Sequence, residues 1–456
     1  MMKTLFGSLI VGWIGCGPMA LAQPPNVVIL FTDDQRWDAL HASGNDKIAT
    51  PNLDSLAQRG TRFENAFVTL SICSPSRAAM LTARYNSANG CTTVGKGRIH
   101  EKEVTFAQRL RERGYRTGVT GKWHLGNSPE GCGFEFASVC QSNREWYGRS
   151  FERNGEKVIA EGFVDDFVVS ESLDFINGSV KEQRPFVLWV CTQVPHMDHH
   201  HEWPARPEYL DQYHAQSMPL SPTWQDDLTG KPAYLKTSRS RTQALSYGYE
   251  EAEAIREHTR RYYASVEQMD AALAPLLRRL EQPDLQPNTW ILYMADNGWM
   301  MADHGFTSKV LPYEESIRVP MMIAGPETQP KVDPHLVLGI DLSATILDLA
   351  GLAPPPEIHG RSLLPLVRGD EAVAWRTDFL YEAPQPQLGS KPLWAVRGER
   401  WKYIETRVSP GESFEELYDL RTDPQEMKNL AGEPAWQEEV RRQAARLREL
   451  RSSLAR

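Results

Sequence analysis

Asn26-Val27-Val28-Ile29-Leu30-Phe31-Thr32-Asp33-Asp34 is the stretch that decides the fold. Val27 to Phe31 is an unbroken apolar run with no polar alternation. Such a run suits a strand buried on both faces, as in a parallel sheet, and this one ends on two carboxylates. The pattern recurs outward along the chain. Tyr115–Thr120 leads to Lys122 and His124, Phe186–Cys191 to His196, and Trp290–Met294 to Asp296 and Asn297. Helical patterns lie between these runs at 52–59, 105–113 and 262–280. In the last, Val266, Met269, Leu273, Leu276 and Leu277 fall at helical spacing. Asp341–Leu349 reads as a further helix, ended by Gly351 and Pro354-Pro355-Pro356. Strands alternating with helices predict an α/β fold with a large, mostly parallel sheet flanked by helices.

Composition shifts after about residue 370. Trp394–Val396 and Trp401–Ile404 flank a Gly398-Glu399 turn and read as an antiparallel hairpin, which Phe414–Leu420 extends. An Arg-rich amphipathic helix starts near Glu433. The division expected is residues 1–22 as a signal peptide, 23–372 as the catalytic domain and 373–456 as a smaller C-terminal subdomain of antiparallel sheet plus helix. His196–Tyr247 is polar and Pro-rich, and is expected to loop over one face of the sheet.

The 456 residues are 41% hydrophobic and 24% charged, ordinary globular proportions that exclude a disordered, collagen-like or coiled-coil chain. The net charge of −9 leaves no basic surplus for a phosphate backbone, so no nucleic-acid partner is expected. Met1-Met2-Lys3, the apolar stretch Leu5–Gly15 and the Ala20-Leu21-Ala22 cleavage pattern read as an export signal. This predicts a secreted or periplasmic protein without stable membrane insertion. A lipid anchor at Cys16 is disfavoured by Trp13-Ile14-Gly15 before it. Of the other five cysteines, Cys73, Cys91, Cys132, Cys140 and Cys191, the close pair Cys132 and Cys140 is placed to bridge in an exported protein, and Cys191 reads as a core thiol.

In parallel sheets, ligands bind beyond the carboxyl ends of the strands, so the groups following the four runs are expected on one edge. Asp33, Asp34, Asp296 and Asn297 offer only oxygen, a donor set for a hard cation such as Ca²⁺ or Mg²⁺. His199-His200-His201 reads as a solvated run. Ser71-Ile72-Cys73-Ser74-Pro75-Ser76-Arg77 leads into Ala78-Ala79-Met80-Leu81-Thr82-Ala83-Arg84. Pro75 suits a first helical turn, which puts Cys73 at a helix N-terminus, where an anion is favoured. A thiolate phosphatase would need its arginine at position 79, where Ala79 stands.

This stretch resembles the signature of the formylglycine-dependent sulfatases, Cys-x-Pro-Ser-Arg followed by Leu-Thr-x-Arg, with Ala83 where Gly is commoner. Gly114-Tyr115-Arg116-Thr117-Gly118-Val119-Thr120-Gly121-Lys122-Trp123-His124 resembles the family's second signature. Thr32-Asp33-Asp34-Gln35, Pro195-His196, Asp296-Asn297-Gly298, Asp303-His304-Gly305 and Arg318-Val319-Pro320 also match, so the resemblance runs from about Asn26 to Leu430. It implies an alkaline phosphatase-like fold and conversion of Cys73 to formylglycine by a formylglycine-generating enzyme. It further implies that Asp33, Asp34, Asp296 and Asn297, with an oxygen of residue 73, hold a divalent cation, usually Ca²⁺. Arg77, Lys122 and Lys309 would stabilise the diol and the sulfate, His124 would contact the second diol oxygen, and His196 would serve the leaving group.

The chemistry agrees with those roles. Sulfate ester cleavage builds charge on the leaving oxygen, which a general acid can protonate while fixed cations stabilise the sulfate. Only a diol has a second hydroxyl whose deprotonation by His124 expels sulfate and restores the aldehyde. The expected activity is sulfate ester hydrolysis on a sulfated carbohydrate. Asp33 to Leu40 looks more like carbohydrate sulfatases than like arylsulfatases, in which Gly follows Gln. Two alternatives are a phosphonate monoester or phosphodiester hydrolase of the same superfamily and an inactive binding protein. The complete ligand and charge set speaks against the second.

Overall fold

The computed structural model describes residues 23–454 apart from Lys96 and Glu371. The stretch 1–22, read as an export signal, lies outside the described residues.

Ten strands form the main sheet. In chain order they are β1 (Asn26–Thr32), β2 (Thr61–Phe67), β3 (Arg116–Lys122), β4 (Phe136–Cys140), β5 (Tyr147–Arg153), β6 (Glu156–Phe163), β7 (Phe186–Cys191) and β8 (Thr289–Ala295), then β11 (Met321–Ala324) and β12 (Lys331–Leu338). Between the last two pairs a two-stranded ribbon intervenes, β9 (Met300–Met301) with β10 (Thr307–Ser308). The spatial order is β12-β2-β11-β8-β1-β7-β3-β4-β5-β6. Its centre, β8-β1-β7-β3-β4, is parallel throughout, whereas β11, β5 and β6 run antiparallel to their neighbours.

Val27 to Phe31 are fully buried. Val28 and Leu30 enter one hydrophobic core, while Val27, Ile29 and Phe31 enter a second on the opposite face. Two-sided burial is why the sequence shows a solid apolar run there. The expected strands and helices are present. The long helix starts at Ala252 rather than Tyr262 and runs to Leu280. Its first turns bury little beyond Ile255 and are instead laced by Glu257 to Arg260 and Arg261 at 2.8 Å, a support that leaves no apolar period to read. The hairpin β5–β6 and the helix Val164–Lys181 were not expected. Asn154-Gly155, with φ of 47° and 89°, is the hairpin's turn signal.

All five described cysteines are free thiols, so the Cys132–Cys140 pairing that the sequence allowed without fixing is not made. Cys140 packs in the core on one face of the sheet and Cys132 in the core on the other. The strand layer separates them. Cys191 is buried, as a core thiol should be.

A four-stranded antiparallel sheet follows: β13 (Asp378–Ala383), β14 (Leu393–Gly398), β15 (Trp401–Ser409) and β16 (Glu412–Asp419), covered by the helix Gln437–Ser453. Its buried face is not a separate core. Tyr381, Leu393 and Tyr403 share one cluster with Leu70, Ile72, Phe306 and Val310. The small sheet therefore packs directly beneath the segments that lead to Cys73 and surround Lys309.

Candidate active site

The four adjacent parallel strands β8, β1, β7 and β3 deliver the expected groups to one edge. β1 ends into Asp33 and Asp34, β8 into Asp296 and Asn297, and β7 into the loop bearing His196. Lys122 is the last residue of β3, with His124 just beyond. Cys73 is the first residue of the helix Cys73–Thr82, every residue of which is buried.

Lys309 Nζ lies 3.0 Å from Cys73 Sγ and also contacts Asp34 Oδ1. Lys122 Nζ contacts Asp33 Oδ2. Arg77 reaches Asp296 Oδ2 at 3.0 Å, Asp33 Oδ2 at 3.8 Å and the Lys122 carbonyl at 2.6 Å. Asn297 donates to Asp34 Oδ1 at 2.6 Å. The Oδ1 of Asp296 accepts from the Asp34 N–H at 3.1 Å. His196 Nε2 stands 3.3 Å from Asp34 Oδ2, while Nδ1 is 2.7 Å from the Met197 carbonyl, which fixes the proton on Nδ1.

Burial dominates the electrostatics. It pushes the Cys73 thiol up to about 12, with Asp33 adding to the effect. It pushes the imidazole of His124 well below its usual range, helped by Lys122, Arg77 and Lys309. His196 is also lowered by burial, against the pull of Asp34 and Asp33. Burial opposes ionisation of Asp33, but Lys122 with His196 and Arg77 outweighs it and holds the carboxyl low. Asp34 (φ 59°) and His124 (φ 55°) adopt left-handed backbone, a cost that side chains other than glycine bear only where the surroundings enforce it. Tyr262 enforces it at Asp34, donating to that residue's carbonyl at 2.9 Å.

Asp33, Asp34, Cys73 and His196 each offer a ligand atom, all within 4.8 Å of one another. The buried Asp34 Oδ2 and Asn297 Oδ1 accept no hydrogen bond among the described residues. Two converging orphan oxygens are what a hard divalent cation takes as ligands, so the residues present fit such an ion. Asp296 lies outside the four-residue group, turned toward Arg77, and His196, expected on this edge for the leaving group, stands among the ligand atoms instead.

Trp299 was also missed. Its ring stands 6.1 Å from that of His196 and 5.7 Å from Lys309 Nζ, walling the site. Its place immediately after Asp296-Asn297-Gly298 was the available signal. His304, singled out by its motif, is fully buried and pairs through Nδ1 with Asp226 at 2.7 Å, a structural position. His199 and His200 are exposed, as a solvated run should be.

Fixed cations, a neutral imidazole and hard oxygen donors around one buried side chain define an enzyme for oxyanion esters. A family model described as Sulfatase matches residues 25–352, and a second, N-sulphoglucosamine sulphohydrolase C-terminal, matches 302–453. The chain belongs to the sulfatase family and is a sulfuric ester hydrolase. It is 27% identical to an N-acetylglucosamine-6-O-sulfatase of Bacteroides thetaiotaomicron, over 90% of this chain and 83% of that protein. A structure solved in complex with its substrate D-glucosamine-2-N,6-O-disulfate superposes with a TM-score of 0.86 at 23% identity, covering 95% of this chain and 98% of that one. A phosphonate monoester hydrolase from Silicibacter pomeroyi shares the fold at a TM-score of 0.79 and 20% identity, covering 94% and 95%.

Proposed function

We propose that this sulfatase removes a sulfate ester from a sulfated saccharide outside the cytoplasm, using residue 73 as formylglycine and a divalent cation. One observation carries the reading. Residue 73 is buried at the meeting point of Lys309, Lys122, Arg77 and three carboxylates, with His196 within ligand distance of the same group. The saccharide is supported by the likeness to an N-acetylglucosamine-6-O-sulfatase. Export rests on the segment Met1–Ala22, and maturation would require a formylglycine-generating enzyme in the same cell.

Three cationic side chains balance Asp33, Asp34 and Asp296, so a bound dication, held by these with Asn297, gives the centre the positive excess that an anionic ester needs. Formylglycine supplies a hydrated aldehyde, whose two hydroxyls provide a nucleophile and a route to release the sulfate. The chain's own residues do the rest. Arg77, Lys122 and Lys309 orient the sulfate and stabilise charge developing on it, without reorganising at the moment of reaction. His196, its Nδ1–H committed to the Met197 carbonyl, turns Nε2 to the departing alcohol and serves it as an acid in the imidazolium form, which the neighbouring Asp34 and Asp33 favour against burial. His124, kept neutral and with Nδ1 unpartnered, accepts a proton when sulfate leaves.

The test is a paired assay on saccharide sulfates and on phosphonate monoesters or phosphodiesters of matched leaving group. The reading expects kcat/KM to favour the sulfate. A preference for the phosphorus ester would replace it with the activity of the phosphonate hydrolase-like branch.

A further inference from the structure

Lys309 sits in an unusual piece of backbone. Ser308 and Val310, on either side of it, have φ of 77° and 80°. Valine is β-branched, and left-handed backbone at such a residue is a genuine outlier that the surroundings must hold in place. What holds it comes from the C-terminal sheet. The hydroxyl of Tyr381, on β13, donates to the Val310 carbonyl at 2.6 Å. The same oxygen accepts the Ser71 N–H at 3.2 Å. Tyr381 is wholly buried, and its ring packs in the cluster that includes Leu70, Ile72 and Val310.

One hydroxyl thus ties the residue after Lys309 to the segment two residues before Cys73, and Lys309 Nζ and Cys73 Sγ are 3.0 Å apart. Neither backbone group has another hydrogen-bond partner among the described residues. We infer that Tyr381 is a positioning residue, setting the reach of Lys309 to residue 73 by clamping the strained turn at Val310 to the Cys73 helix entry. This rests on the reading of Lys309 and residue 73 as the reacting pair. It gives the small sheet a part in the chemistry.

Tyr381→Phe keeps the buried ring and removes only the clamp. Misplacement by a fraction of an ångström lowers the rate of a preorganised site, so kcat is expected to fall roughly 10- to 100-fold, with KM altered by less than about threefold, measured well below the melting temperature. A role in stability alone would leave kcat of the folded enzyme unchanged. Val310→Gly then supplies the discriminating arm, because glycine adopts a positive φ without strain. In the Tyr381→Phe background it should restore most of kcat even though losing a buried valine lowers the melting temperature. Wild-type kcat in Tyr381→Phe, or a loss that Val310→Gly does not restore, would overturn the inference. Full turnover by Lys309→Ala would instead overturn the reading of the site on which it rests.

Discussion

Lys122 and Lys402 are equally buried, at 0% exposure, yet their surroundings differ. Lys402, on β15, is surrounded by one carbonyl and two carboxylates. It reaches the Pro312 carbonyl at 3.0 Å, Glu314 Oε1 at 2.8 Å and Glu426 Oε1 at 2.7 Å. Glu314 is further held by Arg397 at 3.1 Å, and these cations keep its carboxyl far below the usual range against the cost of burial. Around Lys122 the charges are as dense and as evenly paired, but polar atoms are left over. Asp34 Oδ2, Asn297 Oδ1, Arg77 Nε and His124 Nδ1 have no hydrogen-bond partner among the described residues. Buried polar groups are normally satisfied. The Lys402 cluster leaves one such atom, Glu426 Oε1, and that atom lies 2.7 Å from the ammonium, so the cluster serves as glue between the two sheets. The catalytic edge leaves four around one buried side chain, an arrangement suited to something else binding there.

That contrast breaks most visibly on removal of the ion. Chelation should lower kcat by about 10³-fold, the several kcal/mol that a catalytic cation supplies, and lower the melting temperature as well, both being restored by Ca²⁺ or Mg²⁺. Unchanged activity in a metal-free preparation would mean that the unmatched oxygens serve no ion. The two histidines sharpen the picture within the site. His196→Ala should cost roughly 10²- to 10⁴-fold on a sugar sulfate, whose alkoxide needs a proton, and much less on a nitrophenyl sulfate. His124→Ala should instead slow both substrates to a common rate with a burst of alcohol near one equivalent. Equal losses for His196→Ala on the two substrates, without that burst, would reverse the assignment.

On the other side of the comparison, Lys402→Met should strand the Glu314 and Glu426 carboxylates. The expected loss is about 3–5 kcal/mol of stability, read as a lower denaturation midpoint. A loss under about 1 kcal/mol would show that the clamp is not what joins the sheets.

The smallest effect concerns Asp165, which accepts the Gln193 N–H at 3.0 Å and so steadies the His196 loop. Burial raises its carboxyl from 3.8 to about 7, with the backbone N–H groups opposing. The folded state then binds this proton more tightly than the unfolded chain. Its contribution is fully present below about pH 4 and is lost as pH rises toward 7. Asp165→Asn, neutral throughout, should melt a few degrees above the parent at pH 8 and close to it at pH 4. A lower melting temperature at pH 8 would contradict this.

The fold class and the placement of the candidate site were both legible in the same apolar runs. Asp33, Lys122, His196 and Asp296 each follow an apolar run, and a parallel sheet allows only one edge for such groups. Lys309 came only from the family resemblance, by its place a few residues beyond His304, since nothing in local periodicity places it. What stayed hidden depends on partners distant in sequence. Tyr381 reads as an ordinary strand residue, and its bond to Val310 spans 71 positions. Whether Cys132 and Cys140 pair was left open by the sequence, because closeness along the chain does not say that a sheet lies between. The apolar period predicts the long helix only from Tyr262, because ion pairs rather than apolar residues support its first turns from Ala252.

The mass of the peptide containing residue 73, isolated from enzyme that turns over a sulfate ester, tests the account most directly. Formylglycine makes that peptide about 18 Da lighter than its cysteine form, and the lighter fraction should rise in step with specific activity across preparations. Fully active enzyme in which residue 73 is intact cysteine would contradict the account.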